Sequence, residues 1–238
     1  MFTWMVFGFL IGLQHALEAD HIVAVATLTS DTTGLRRIAR HGAIWGVGHA
    51  LTLGAFGGTV YVFKLAMTPQ LENGLELVVG AMLALLGSRV IYRIWRDRVH
   101  FHVHRHTDGD AHFHAHSHAG DVTNHKKSKH AHVHTAHGWR RSLGVGMMHG
   151  LAGSAALVAL TASMAETPIL GFAFMALFGL GSILGMVAFS AAIAVPFTLT
   201  ARSMTWVHRG LQLAAGLIAF GFGLHIVIEK ATALAAGV

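Results

Sequence analysis

The sequence predicts an all-α fold, a polytopic transmembrane helical bundle of about six spans, from three observations. Of its 238 residues 53% are hydrophobic and only 12% are charged, against roughly 25% charged in a soluble domain, and the mean hydropathy is +0.55. Residues 41–63, 142–165, 167–201 and 210–228 contain no Asp, Glu, Lys or Arg, and about 20 such residues cross a bilayer as a helix. In lipid every backbone polar group must be satisfied within the chain, so apolar runs of this length read as helices.

Hydropathy and helix breakers place the spans near 2–28, 41–65, 75–96, 139–163, 169–199 and 210–229. The first starts directly at Met1 and Phe2, with neither a basic leader nor a small-residue cleavage site, so no cleaved signal is expected. The run from Thr167 to Ala201 exceeds one span and contains Pro196, which fits either a kinked, tilted helix or a broken one. Among 28 glycines, the pairs Gly8/Gly12, Gly42/Gly46, Gly54/Gly58 and Gly181/Gly185 repeat the small-xxx-small spacing that lets membrane helices approach closely.

Charge fixes the expected orientation. Arg36, Arg37, Arg40, Arg202, Arg209 and the ten Lys and Arg from Arg89 to Arg141 fall on one side, leaving only Lys64 and Lys230 of the 17 basic residues on the other. By the positive-inside rule this puts both termini outside and the long central loop in the cytoplasm, across a bacterial inner membrane. The net charge of +6 and pI near 10.3 then report topology, and no nucleic-acid partner is expected. The organisation follows: residues 1–96 form a first three-helix half, 97–138 a loop, and 139–238 a second three-helix half.

A short repeat links the halves. Gly-x-x-His-(Ala/Gly)-Leu occurs at Gly12–Leu17, Gly46–Leu51 and Gly146–Leu151. The first and third copies open the two halves, and an odd number of spans per half would make them inverted repeats.

The chemistry concentrates at His15, Glu18, Asp20 and His21, two imidazoles and two carboxylates inside an otherwise apolar span. Charged groups at membrane depth are costly, so they face a bundle interior, pair, or mark an ion path. On an ideal helix His15, Glu18 and His21 share an arc of about 120 degrees while Asp20 points elsewhere. Either the helix distorts, or Asp20 orients His21 by accepting its second ring N–H. The plain alternative, that Glu18 and His21 only end a span at the headgroups, does not call for four such groups in seven residues. His49 and His149, each alone on an apolar helix, would ordinarily be interhelical hydrogen-bond partners. The motif they share with His15 marks them as ligands or path residues. Met147 and Met148 are read as packing, and His225 as structural. With no cysteine in the chain, imidazole, carboxylate, thioether and backbone remain as donors, which disfavours Cu(I).

Between Arg96 and Arg140 lie thirteen histidines. His100, His102, His104 and His106 alternate with other residues, as do His112, His114, His116 and His118, and then His130, His132 and His134. Such a composition cannot build a core, so a disordered loop that gains order by chelating a divalent metal is expected. Imidazoles bind Zn, Cu, Fe and Ni alike, so the loop says metal without saying which.

His15-x4-Asp20-His21 in an early membrane helix, followed by Ile22, resembles the signature of the nickel/cobalt transporter family. Gly48-His49-Ala50-Leu51 and His149-Gly150-Leu151-Ala152-Gly153-Ser154 resemble further elements of that family and its short relatives. These segments cover the first two spans and the fourth. The resemblance implies metal binding at His15, Asp20 and His21, with Ni2+ or Co2+ as substrate and uptake into the cytoplasm. Typical members have eight spans and lack so long a histidine loop, which is more reminiscent of nickel/cobalt efflux proteins. No phosphate-cradling loop or soluble acid–base pair is present, so neither an ATPase nor another enzyme is expected, and no cofactor. A secondary transporter is the reading, with a cytoplasmic metallochaperone as a candidate acceptor. A nickel/cobalt efflux protein and a membrane-anchored metal chaperone or sensor stand as the alternatives, and nothing in the sequence sets the oligomeric state.

Overall fold

The computed structural model describes residues 2–29, 32, 34–96, 99–105, 111–117, 138–153, 157–158, 160–161, 165–203 and 205–237, of which 2, 99–105, 111–117, 201–203 and 205 are described by backbone alone. Among the described residues seven helices carry the fold: α1 (Phe2–His15), α2 (Ala19–Thr29), α3 (Leu35–Phe63), α4 (Pro69–Arg96), α5 (Gly138–Ala152), α6 (Pro168–Ser203) and α7 (Thr205–Ala235). Among the described residues α4, α6 and α7 are each long and apolar enough to cross a membrane. Large apolar side chains such as Leu51, Leu85, Leu180, Leu217 and Ile218 are exposed around the bundle. In water such a belt would be a liability, whereas in lipid it is the expected outer surface. The chain is a membrane protein.

Packing relates the two halves. α1 lies against α6, α5 lies against α3, α3 against α6, and α4 against α7. Exchanging the halves exchanges the first two pairings and leaves the last two unchanged. Glycines make the close approaches: a methyl on Gly12 would overlap the backbone of Phe178, and one on Gly146 would overlap the Trp45 carbonyl. Gly181 and Gly185 meet Phe9 and Ala16 in the same way, and Gly42 and Gly46 meet Ser190 and Ile183. Gly54, expected at such a contact, has nothing within 4 Å of its Cβ direction. α4 and α7 run antiparallel, with Gly80 at Ile226 and Gly87 at Gly216 and Phe220.

Three expectations are corrected. The span expected at 2–28 is two helices, because α1 stops at His15 and α2 begins at Ala19. The span expected at 139–163 is likewise interrupted: α5 ends at Ala152, Gly153 is in a turn, and residues 157–158 and 160–161 are helical again. Hydropathy misses both breaks because the long apolar runs on either side outweigh Glu18 and Asp20 at the first and Gly153 at the second. The loop expected to lack regular structure carries two antiparallel strands, β1 (Val99–Arg105) and β2 (Ala111–Ser117), with His100 opposite His116, His102 opposite His114 and His104 opposite His112. Alternation with Val99, Phe101, Val103 and Phe113 has the period and composition of a strand. The alternatives left open for 167–201 resolve as one helix of 36 residues that runs through Pro196.

Candidate metal site

The break between α1 and α2 builds the site. The amides of Leu17 and Glu18 donate to the carbonyls of Gln14 and His15 at 2.9 and 3.1 Å, a tight turn that ends α1, and Ile22 N then donates to Glu18 O at 3.0 Å as α2 begins. Rotating the chain here places Asp20 and His21 on the same interior face as His15, which a continuous helix could not do. Asp20, in the first turn of α2, accepts from the amide of His21 at 2.9 Å, the end of a helix where a carboxylate is favoured. His15 and His149 both lie in the last turn of their helices, α1 and α5, where the helix dipole favours a cation.

Four imidazoles converge. Ring centroids of His21 lie 4.5 Å from His15, 5.1 Å from His49 and 4.3 Å from His149. Nε2 of His15 is 3.2 Å from Nε2 of His49. Asp20 bridges two rings, with Oδ1 3.0 Å from His21 Nδ1 and Oδ2 2.8 Å from His149 Nε2. Glu18 sits on the rim, its Oε1 2.8 Å from His15 Nδ1. His21, His49 and His149 are buried, at 1%, 0% and 2% exposure.

Hydrogen-bond logic sets the tautomers. A carboxylate only accepts, so the nitrogen facing it must carry the proton. His15 Nδ1 and His21 Nδ1 therefore donate to Glu18 and Asp20, and His149 Nε2 donates to Asp20. The lone pairs left are on His15 Nε2, His21 Nε2 and His149 Nδ1. Of these, His21 Nε2 and His149 Nδ1 are buried with no protein partner, as is Nδ1 of His49. Leaving a buried polar atom unsatisfied costs about 1–3 kcal/mol, and an electrophile at the centre removes that cost.

Donor atoms of His15, His21 and His49 lie within 4.8 Å of one another, and so do those of Asp20, His21 and His149. Ligands on one ion at about 2.1 Å stand at most about 4.2 Å apart, so a slight contraction of the first set would seat a divalent ion. Imidazole nitrogen with a carboxylate nearby is the donor chemistry of Ni, Cu, Zn and Fe.

Along its sequence the chain is 34% identical over 222 residues to the urease accessory protein UreH of Bacillus sp. (strain TB-90), covering 92% of this chain and 87% of the relative. The chain belongs to the UreH family. More distant relatives are the chloroplast proteins FOR GROWTH AND FERTILITY 2 and 1 of Arabidopsis thaliana, 24% and 26% identical over 94% and 93% of this chain. The match covers 55% and 58% of their respective lengths. No family model and no solved structure matches the chain.

Within this UreH-family chain all six residues expected at the transport site are found together, five converging in the interior and Glu18 at the edge. His225 does not join them, pairing with Glu229 at 3.7 Å on an exposed face, and Met147 and Met148 are exposed. Of the loop histidines, His100, His102, His104, His112, His114 and His116 belong to the hairpin, while His106, His118, His130, His132 and His134 lie outside the described residues. Sequence reasoning missed Trp45. Its ring, 1% exposed, lies 5.5 Å from His21 and 5.9 Å from His149, and its Nε1 has no protein partner. The available signal was its position four residues before His49, one turn away on the same face of α3. Phe178 of α6, with its ring 5.2 Å from His15, closes the opposite side.

Proposed function

We infer that this chain is a secondary transporter that moves Ni2+, with Co2+ as the next candidate, across the bacterial inner membrane toward the cytoplasm. The observation that carries this reading is the set of buried imidazole nitrogens left without protein partners where two helices are interrupted. Broken helices whose ends face a central site are how many transporters hold an ion at mid-membrane. An anchor for a metal-binding loop has no use for three buried histidines among helices, two of them tied to a half-buried aspartate, which argues against the chaperone or sensor. Resemblance of the His15–His21 segment to the nickel/cobalt transporters supports the choice of metal. The role of UreH, by its name an accessory to urease, is compatible with supplying a metal to an enzyme.

With the six spans given by hydropathy, the distribution of Lys and Arg puts both termini outside and the histidine loop in the cytoplasm. The loop histidines would then receive ions on the inner side, or hand them to a cytoplasmic metallochaperone. A divalent ion entering at about 100 mV gains roughly 4.6 kcal/mol from its two charges, so no ATPase is required. Efflux is the competing direction, and the cytoplasmic histidine loop is the feature that favours it. Flux of radiolabelled nickel into proteoliposomes of defined orientation, with cobalt and zinc as competitors, tests both. Inward flux that saturates and is competed by cobalt supports uptake; outward flux alone reverses the direction, and no flux of any of the three metals sinks the reading.

A further inference from the structure

A cleft of about 810 Å³ reaches down to His15, His21 and His149. Three carboxylates besides Asp20 line it: Glu18 in the break between α1 and α2, and Glu72 and Glu76 one turn apart on α4. Val79, on the next turn of α4, lines the same cleft and is buried. From Glu72 to Val79 is a descent of about 10 Å along the helix. Neither Arg nor Lys lines the cleft. At its edge one cation intervenes, Lys230 of α7, whose Nζ is 2.8 Å from Glu76 Oε2 and 3.5 Å from Glu229 Oε1. Glu72 and Glu76 stand near the start of α4, the end opposite Arg93 and Arg96. The basic residues of the chain are thus concentrated at the other end of the bundle, and Lys230 is an exception placed against an acidic wall. At the floor, the buried Nε2 of His21 has no protein partner, so the acidic wall leads to a donor that lacks an acceptor for its lone pair.

We propose that this cleft is the vestibule through which the divalent cation reaches the histidine cluster, with Glu72 and Glu76 drawing it in and Lys230 acting as a tethered cation that the metal displaces from Glu76. The proposal rests on the transport reading and adds the route and the residues that control it. Apolar walls around a few like charges focus their field and raise the local concentration of counter-ions. An ammonium bound to Glu76 cancels part of that field and competes for the same oxygen. Ion capture and ion binding are then separate steps: the carboxylates set the rate of arrival, and the imidazoles set the lifetime of the bound ion.

Trp45 supplies a readout that does not depend on transport. It packs against His21 and His149, and a paramagnetic ion such as Ni2+ quenches a nearby indole. Stopped-flow mixing of Ni2+ with the full chain in nanodiscs gives association and dissociation rates, with the Trp45→Phe protein identifying the signal of this indole. At low salt, one charge removed about 8 Å from a divalent ion's path changes its arrival rate by about fivefold. Glu72→Gln and Glu76→Gln are expected to slow association by about that factor and leave dissociation unchanged, and Lys230→Met to speed association comparably. Added salt should shrink all three differences. Association rates indifferent to all three substitutions overturn the proposal. So does a Lys230→Met protein that binds more slowly and melts lower, since the ion pair would then be only a tie between α4 and α7. Glu72 has no ion-pair partner among the described residues, so its variant keeps the test sound if the Glu76 variant fails to fold. Association rates that follow these charges in a protein without flux overturn the transport reading and keep the vestibule. Flux with unchanged association rates overturns the vestibule alone.

Discussion

Oδ2 of Asp20 stands 2.8 Å from Nε2 of His149, a residue 129 positions further along the chain. The other oxygen of the same carboxylate holds Nδ1 of His21 at 3.0 Å. One side chain therefore ties the first interrupted span to the second and fixes the tautomers of two rings. This is the carboxylate–histidine arrangement that orients metal-binding imidazoles and raises their basicity.

Asp20→Asn tests that tie. An asparagine accepts on one side and donates on the other, so one of the two rings must turn its N–H toward the centre and lose a lone pair there. Ni2+ affinity should fall by about 10- to 100-fold and flux should be lost, with insertion unaffected. Calorimetric titration of the inserted protein, beside the flux assay, measures both. Normal flux in this variant, or in inserted His15→Ala or His21→Ala, would remove these residues from the site.

His49→Ala removes the ring that meets His15 at 3.2 Å from the neighbouring helix α3. A loss of about 10- to 100-fold in Ni2+ affinity is expected, and His149→Ala should be comparable or milder because its bond to Asp20 only orients. Affinity retained in both variants would confine the site to α1 and α2.

Much of this site was legible from spacing alone, because buried histidines and acids are rare enough in a membrane chain that each one asks for a partner. The repeated Gly-x-x-His element pointed to His49 and His149 before any contact was visible. The interruption after Ala152 was not legible, and the one at Ala16–Glu18 was legible only as a distorted helix, one of two ways to account for Asp20. Ala16, Leu17 and Glu18 are good helix formers, and each break serves the convergence of residues far apart in sequence. Trp45 was hidden for a related reason, since an indole on an apolar helix carries no polar pattern until its neighbours are known. At Pro196 the sequence left one helix or a broken one open, and α6 runs through it as one helix, with Oγ1 of Thr200 donating to the Pro196 carbonyl at 2.7 Å.

Deleting residues 100–137 should lower the number of metal ions bound per chain and leave substantial flux, because these residues lie between the two halves and outside the helices that hold the cluster. Equilibrium dialysis against Ni2+ counts the ions, and proteoliposome flux checks the second half of the expectation. Complete loss of flux in a folded deletion protein would make the loop part of the path.

The closest test of how packing builds the site lies at Gly146. A Cβ there would overlap the carbonyl of Trp45, whereas at Gly144, on the same helix, it would meet nothing within 4 Å. Gly146→Ala must push α5 away from α3, and overpacking of this kind costs about 1–3 kcal/mol. The displacement also draws His149 off Asp20, since the two touch through a single 2.8 Å hydrogen bond. Gly144→Ala adds the same methyl without a clash and should be neutral or stabilising by about 0.5–1 kcal/mol, the usual gain for alanine over glycine within a helix. Thermal unfolding in detergent and Ni2+ titration of both variants compare them directly. A lower Tm and weaker Ni2+ binding are expected for Gly146→Ala only. Equal behaviour of the two variants would mean that the approach of α5 to α3 at Trp45 does not set the position of His149, and the repeat's glycines would lose their role in assembling the site.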